Sequence, residues 1–486
     1  MQYSVVNYKT VKENPIFRME AEFYSRGVLS KGIFAAGSEI IDFVQYGTSK
    51  ELNEKKLGYP TLRLNEFDNF FIEEPTKYCN EIDEKTFENL KLRKGDVLVC
   101  RTNGNPKLVG KSAIVVEDYP YAYASYLFKI RPKKSKINSA TLVTYLNSDK
   151  GRQEIEKYSM TSNQTNFSPA KFKEISIPIF KKNLLNAFNE IIEKSFELSE
   201  NSKSFYSQAE RLLLSELGLS RKRDVPLDWK PQHKLAFVKN FSDTQKAERI
   251  DAEYFQPKYE EIIETVKKYK GGFEELGNLV KINDKNFTPK DNEQYKYIEL
   301  ANILSNGEIN SYTENFGNEL PSRARRMIQK DDLIVSSIEG SLESIALITE
   351  DWKNALCSTG FFAINSDKIN SETLLVLLKT KAGQLQLKKG CKGTILTAIS
   401  KDELSKIVLP KIESGTQKQI KEKIVEMYET KKLSKSLLEL AKRGVEMAIE
   451  KDEKTAEKWI QKGSITLICG YGFSSCVHQK NDNKAT

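Results

Sequence analysis

The chain repeats itself at an offset of about 232 residues, and this self-similarity restricts it to two copies of one folded unit. Arg18-Met19-Glu20-Ala21-Glu22-Phe23-Tyr24 is answered by Arg249-Ile250-Asp251-Ala252-Glu253-Tyr254-Phe255, each pair identical or chemically alike. The run KGDVLVC, Lys94 to Cys100, returns as KDDLIVS, Lys330 to Ser336, and Ile114 to Asp118 returns as Leu347 to Asp351. Lys136-Ile137-Asn138-Ser139 recurs as Lys368-Ile369-Asn370-Ser371. From there the register holds without a gap: Gly151 meets Gly383, Ser168 meets Ser400, Phe172 meets Leu404, Ile175 meets Ile407 and Pro178 meets Pro410.

Each copy divides in two by pattern. Residues 14–180 and 249–412 mix short β-branched runs (Asp96 to Val99, Leu333 to Ser336), turn signals such as Asn103-Gly104-Asn105-Pro106, and a short helix over Ala140 to Lys157, an α+β pattern. Residues 183–217 and 415–450 lack proline and carry heptad-spaced positions: Leu185, Phe188, Ile192, Tyr206, Ala209 and Leu213 in copy one, Ile420, Ile424, Met427, Leu438, Ala441 and Val445 in copy two. A helix of that length extends roughly 50 Å, beyond the diameter of a small domain, so it must pack outside its own globular segment. Ser195, Ser199, Ser202, Lys431 and Ser434 fall at seam positions and make a poor zipper for a lone homodimer, which favours pairing each helix with its own duplicate. Two unrelated helices, each capping its own domain, are the alternative.

The expected fold is therefore α+β: two tandem-duplicated α/β domains separated by two long antiparallel coiled-coil helices, with pseudo-twofold symmetry. The boundaries read 1–180 for the first domain, 181–220 for the first helix, 221–248 for a linker marked by Arg221-Lys222-Arg223, Pro226 and Pro231, 249–412 for the second domain and 413–462 for the second helix. Residues 463–486, Gly/Ser-rich and without a counterpart in copy one, read as a disordered or adventitious tail.

At 486 residues the chain exceeds what one core serves, and 39% hydrophobic residues with a mean hydropathy of -0.52 describe a soluble globular protein. No apolar run approaches the roughly 20 residues that cross a bilayer, and the opening residues lack a secretory pattern, so no membrane contact and a cytoplasmic location are expected. Cys79, Cys100, Cys357, Cys391, Cys469 and Cys476 are scattered singly and read as free thiols, with no metal site. The net charge of +9 permits a polyanionic partner without requiring one.

Catalytic signatures are missing: there is no phosphate-binding GxxxxGK[ST] loop, no GxGxxG, no HExxH and no Asn-Pro-Pro-aromatic loop. His233, in the linker, and His478, in the tail, are the only histidines and offer little acid-base chemistry.

A protein that reads base edges presents Arg or Lys for guanine, Asn or Gln for adenine and Ser or Thr for either, on loops from a rigid scaffold. Two loops per copy qualify. The first follows the KGDVLVC strand with Arg101, Thr102, Asn103, Asn105, Lys107 and Lys111, answered after KDDLIVS by Ser337, Glu339, Ser341 and Glu343. The second carries Thr161, Ser162, Asn163, Gln164, Thr165 and Asn166, answered by Lys388, Lys389, Lys392, Thr394 and Thr397. The scaffold repeats while these loops diverge, as expected if each copy reads a different half-site; solvated loops that drift freely would diverge too. Lys133, Lys134, Arg323, Arg325 and Arg326 are candidates for phosphate contacts, which position without specifying.

On these residues the chain resembles the specificity (S) subunits of type I restriction-modification systems. The resemblance spans about 14–450 and rests on the RMEAEFY and RIDAEYF openings, the KGDVLVC and KDDLIVS strands, and Ile175-Ser176-Ile177-Pro178 and Ile407-Val408-Leu409-Pro410 leading into the heptads. It implies two target recognition domains that each read half of a split site in double-stranded DNA, with the helices as a ruler and as the dock for methyltransferase (M) subunits. Catalysis, S-adenosylmethionine, ATP and Mg would belong to the M and restriction (R) subunits, leaving this chain non-catalytic and without a cofactor. The Pro-rich, Gln-bearing lead-in of the family is present only in part, as Gln417 and Gln419. A coiled-coil scaffold with protein-binding end domains, or a nuclease, are the rival readings.

Overall fold

The computed structural model describes residues 8, 32–159, 165–218, 233–304, 306–393 and 397–470. The RMEAEFY opening of copy one lies outside these residues. The chain forms two compact units: residues 1–200 with 430–486, and residues 201–429. Each is described by itself.

In the first unit, strands Ile41–Tyr46, Leu127–Pro132, Val97–Cys100 and Ser112–Ile114 lie in that order in one antiparallel sheet. Tyr59–Leu62 runs parallel to Ala122–Tyr123 and antiparallel to Lys77–Cys79, and Ile33–Ala36 pairs with Ser176–Ile179. In the second unit the same plan returns: Lys281–Asn283, Phe361–Asn365, Leu333–Ser336 and Ile345–Leu347 form the main sheet. Gln294–Ile298 runs parallel to Leu356–Ser358, and Phe273–Glu275 pairs with Val408–Pro410. The repeated strings become equivalent structure. Val97–Cys100 and Leu333–Ser336 are each fully buried strands at the interior of their sheets, as expected for apolar runs covered on both faces.

The helices of each unit start where the sequence places cap residues. Asn138 and Asn370 accept the backbone N–H of Thr141 and Thr373, and Ser168 and Ser400 cap the next short helices through Lys171 and Glu403. The single helix expected over Ala140 to Lys157 is two, Ser139–Asn147 and Asp149–Tyr158, because the hydroxyl of Ser148 caps a fresh N-terminus at Gly151. Thr380 does the same before Gly383. A Cβ on Gly151 would lie 1.8 Å from the Tyr145 carbonyl oxygen, and one on Gly383 would lie 2.5 Å from that of Leu377, so only glycine fits these corners.

The long helices are Lys182–Glu216 and Ser414–Glu450. The division into units falls inside both, so each unit holds half of each helix in its core. In the first unit Phe188 and Ile192 pack with Leu438, Ala441 and Val445, joined by Leu184, Leu198, Leu433 and Leu437. In the second, Ala209 and Leu213 pack with Ile420, Ile424 and Met427. Leu185 and Tyr206 are only partly buried at the edges of these cores. Both halves run antiparallel: Ser195 meets Ser434 and Ser199 meets Lys431 in the first unit, while Ser202 meets Met427 and Glu216 meets Thr416 in the second.

Two expectations are corrected. The second long helix stops at Glu450, and Asp452 caps a further helix, Glu453–Gly470, through the Thr455 N–H. Residues 463–470 are therefore helical rather than tail: Gly463 lies against Leu440, and Gly444 against Ile460, where a Cβ would sit 2.5 and 2.6 Å from the side chain opposite. Close packing at two glycines outweighs their poor helix propensity. Residues 471–486, with Cys476 and His478, lie outside the described part. Cys79, Cys100, Cys357 and Cys391 are free and buried, as expected, but Cys469 is disulfide-bonded. Among the described residues no helix is long and apolar enough to cross a membrane, and no group of three or more His, Cys, Asp or Glu could hold a metal ion.

Candidate nucleic-acid interface

In the first unit the two polar loops, some sixty residues apart in sequence, become neighbours. The buried strand Val97–Cys100 ends at Arg101, and Thr102–Asn103 then pairs antiparallel with Thr165–Asn166, Thr165 opposite Asn103 and Asn166 opposite Thr102. The Phe167 N–H donates to the Arg101 carbonyl at 2.8 Å, closing the junction. Thr161, Ser162, Asn163 and Gln164 lie outside the described residues.

The loop holds its shape with its own asparagines. Asn103 Oδ1 accepts from the Asn105 N–H at 2.8 Å, and Asn105 Oδ1 from the Lys107 N–H at 3.0 Å, so both side chains spend an acceptor on Asx turns while their amide donors stay available. Arg152 Nη2 clamps the Lys107 carbonyl at 2.8 Å. Asn105 and Lys107 are exposed. Arg101 lies over the ring of Tyr46, 5.2 Å from its centre, and Tyr46 is itself 45% exposed. The Nε of Arg101 and the Oδ1 of Asn166 are buried without a hydrogen-bond partner, an expensive state for polar atoms. Lys111 turns the other way. Its ammonium donates to the Phe67 carbonyl at 3.3 Å, and burial holds its pKa below the usual lysine value despite the nearby Asp68.

The second unit brings its two loops together at the same place with different chemistry. Ile338 bridges Ala398, the Glu339 N–H donates to the Thr397 carbonyl at 3.0 Å, and the Ile399 N–H donates to the Ser337 carbonyl at 2.8 Å. Ser337 Oγ bonds the Gly360 carbonyl at 2.9 Å and Ser341 Oγ bonds Ser336 Oγ at 3.0 Å, so these hydroxyls shape the loop from within. Thr397 Oγ1 donates to the Gly393 carbonyl at 3.2 Å. Glu339 and Lys388 approach to 3.9 Å, and the Glu343 carbonyl accepts from Lys379 Nζ. Lys388 and Lys392 are exposed, whereas Lys389 lies over the Tyr254 ring at 4.8 Å and its pKa is lowered by burial. Thr394 lies outside the described residues.

The RIDAEYF motif proves to be a brace for this loop. Arg249 makes two bonds to Asp251 (2.8 and 2.7 Å), a third to the Cys391 carbonyl at 2.9 Å, and lies 4.3 Å from the centre of the Tyr254 ring. Tyr46 was not singled out from the sequence, and Tyr254 only as a member of the repeated RIDAEYF opening. Each sits far along the chain from the loop it supports, and only its aromatic character next to charged residues could have marked it.

The expected phosphate contacts separate. Register in the first sheet places Leu127 opposite Cys100, so Lys133 and Lys134, which follow Pro132, sit at the end of the sheet away from Arg101. They do not join the loops. Arg323 does approach them in its own unit: its carbonyl accepts from the Thr359 N–H at 2.9 Å, beside Gly360, whose carbonyl takes Ser337. Arg325 Nε bonds the Ser322 carbonyl at 3.2 Å, and Arg326 has Nε and Nη1 buried without a partner.

No family model and no curated protein matches the sequence. Among solved structures, the S subunit of a type I restriction-modification system from M. genitalium is matched over 90% of this chain and 98% of its own, at 14% identity and a TM-score of 0.36. An HsdS subunit from Thermoanaerobacter tengcongensis is matched over 89% and 96%, at 13% identity and 0.25. These structural neighbours are specificity subunits. A structure described for complex assembly and conformational transition of the type I R-M system is matched over 90% and 99%, at 12% identity and 0.27.

Proposed function

We propose that this chain is the DNA-specificity subunit of a type I restriction-modification complex, a non-catalytic protein whose two units each recognise one half of a split site in double-stranded DNA. The observation that carries the reading is that one scaffold occurs twice and, in each unit, joins two distant polar loops into a single surface whose residues differ between the copies. Surrounding residues that repeat and loops that do not are what two half-sites of different sequence demand. In the first unit Arg101, Asn103, Asn105, Lys107 and Asn166 supply a guanine- and adenine-matching set; in the second Glu339, Lys388, Lys392 and Thr397 supply a different one. Tyr46 lies under Arg101, and Tyr254 under Arg249 and Lys389 beside the second loop. The M and R subunits supply S-adenosylmethionine, ATP and Mg chemistry, and the long helices are the surface on which the M subunits dock.

The test is selection of bound duplexes from a randomised library by the full-length chain with its M subunit, followed by titration at two salt concentrations. The expected result is a motif in two parts with an unspecified gap, and an affinity that falls steeply with salt, by about 10³-fold between 50 and 200 mM if six phosphates are contacted. Binding that is salt-insensitive or selects no motif overturns the proposal and leaves a protein-binding scaffold.

A further inference from the structure

The middle of the helix seam is polar, yet it is among the best-buried parts of the molecule. Ser199 and Lys431 occupy the same position in the two copies, 232 residues apart, and they meet: the Lys431 ammonium donates to Ser199 Oγ at 3.0 Å. It also pairs with the carboxylate of Asp68, and Asp68, Ser199 and Lys431 are 3, 3 and 6% exposed. Asp68 belongs to neither helix. It lies on the hairpin Phe67–Asp68 with Phe71–Ile72, which is part of the first recognition domain. The same hairpin sets the Phe71 ring edge-on against Phe196 of the first long helix, 5.3 Å between centres. On its far side it receives the Ile114 N–H at the Phe70 carbonyl (2.8 Å) and the Lys111 ammonium at the Phe67 carbonyl, where the first reading loop ends.

The second unit has a matching contact. Ile303 bridges Ile309 where the first unit has its hairpin, and Tyr428, the counterpart of Phe196 in the repeat, donates its hydroxyl to the Gly307 carbonyl at 3.1 Å. In both units an aromatic at one helix position touches a turn of the recognition domain.

From this arrangement we infer that Lys431, Asp68 and the hairpin that carries Asp68 are a positioning strut, which fixes the first recognition domain on the helix pair and so sets the gap between the two half-sites. The inference rests on the split-site reading above. The apolar core shared by this hairpin and the helix pair holds the two together, and directional bonds at the polar middle of the seam add a preferred placement. A buried charge pair is suited to this: it contributes little net stability against an apolar pair of equal volume, but its energy depends steeply on its geometry. The gap is thus a property of named side chains and not of helix length alone.

The test uses the neutral pair Lys431→Met with Asp68→Asn in the full-length chain, which removes both charges together, and separately Tyr428→Phe, which loses only a hydroxyl. Each is put through duplex selection with the randomised library. The neutral pair should keep the base preferences of both halves while its discrimination between adjacent gap lengths falls about tenfold, the worth of one charge-assisted contact. Tyr428→Phe should change the gap distribution in the same sense by less. A gap distribution identical to that of the unaltered chain in both variants, or loss of both halves together, overturns the inference. If the unaltered chain selects no split motif, the split-site reading itself has failed.

Discussion

Asp96 and Asp332 show how one repeated residue is kept for its physics and adapted by its surroundings. Each is buried and accepts the backbone N–H three residues earlier, from Arg93 at 2.9 Å and from Gln329 at 2.8 Å, tightening the turn before the central strand. Asp96 then takes the Arg131 fork (2.7 and 2.9 Å) with Lys129 at 3.9 Å, whereas Asp332 takes only the amide of Asn365 at 2.9 Å. Asp96→Ala strands charges and should cost about 3–5 kcal/mol, and Asp332→Ala, which strands a neutral donor, about 1–3 kcal/mol, read from unfolding of the unit affected. Lys129, 1% exposed, donates to the carbonyls of Asn89, Leu90 and Lys91, and burial, partly offset by Asp96, pushes its pKa down to about 8. Because the folded state holds this proton less tightly than the unfolded state, the group contributes stability that grows as pH rises through 8 toward 10.5. The stability of the unaltered protein relative to Lys129→Met should increase over that window by about 3 kcal/mol; a flat difference would show that the ammonium is not desolvated. Gly95 and Asp331, the preceding pair, both have left-handed backbone, φ 91° and 68°. Asp331→Gly should therefore stabilise by roughly 0.5–1 kcal/mol, measured as a raised unfolding midpoint.

Among the elements, the corners and the terminal helix depend on close approach. Ser139–Asn147 turns into Asp149–Tyr158 at Ser148, and its duplicate turns at Thr380, with Gly151 and Gly383 against backbone carbonyls. Gly151→Ala should destabilise by about 1–3 kcal/mol through overpacking, and more than Gly383→Ala, whose contact is looser. The terminal helix Glu453–Gly470 packs through Gly444 and Gly463 with Ala456 and Ile460 buried. Gly444→Leu leaves the helix sequence intact but removes its seat, so protease cleavage near residue 452 should become fast while the sheets of both units stay resistant.

For the whole molecule, the two units share a strand order, three cap positions and a loop junction, but each has its own loop chemistry. Replacing residues 14–180 by another recognition domain should change one half of the selected motif and leave the other intact. Deleting one heptad from each long helix should alter the gap or abolish assembly. Retention of the original motif and gap after both changes would contradict the functional reading.

The sequence by itself determined the duplication, the buried strands KGDVLVC and KDDLIVS, the cap residues Asn138 and Asn370 and most of the heptad core, because each depends on neighbours within a few positions or on a pattern that recurs. Tertiary structure alone decided which loops meet, that Tyr46 and Tyr254 support them, that Lys111 faces inward and Lys133 lies at the wrong end of a sheet, and that residues 463–470 are helical. It also decided that a lysine and four serines of the seam are buried. Local sequence states what a residue prefers, but whether a polar group can be buried depends on partners such as Asp68, more than 360 positions away from Lys431, and those appear only when the chain has closed on itself.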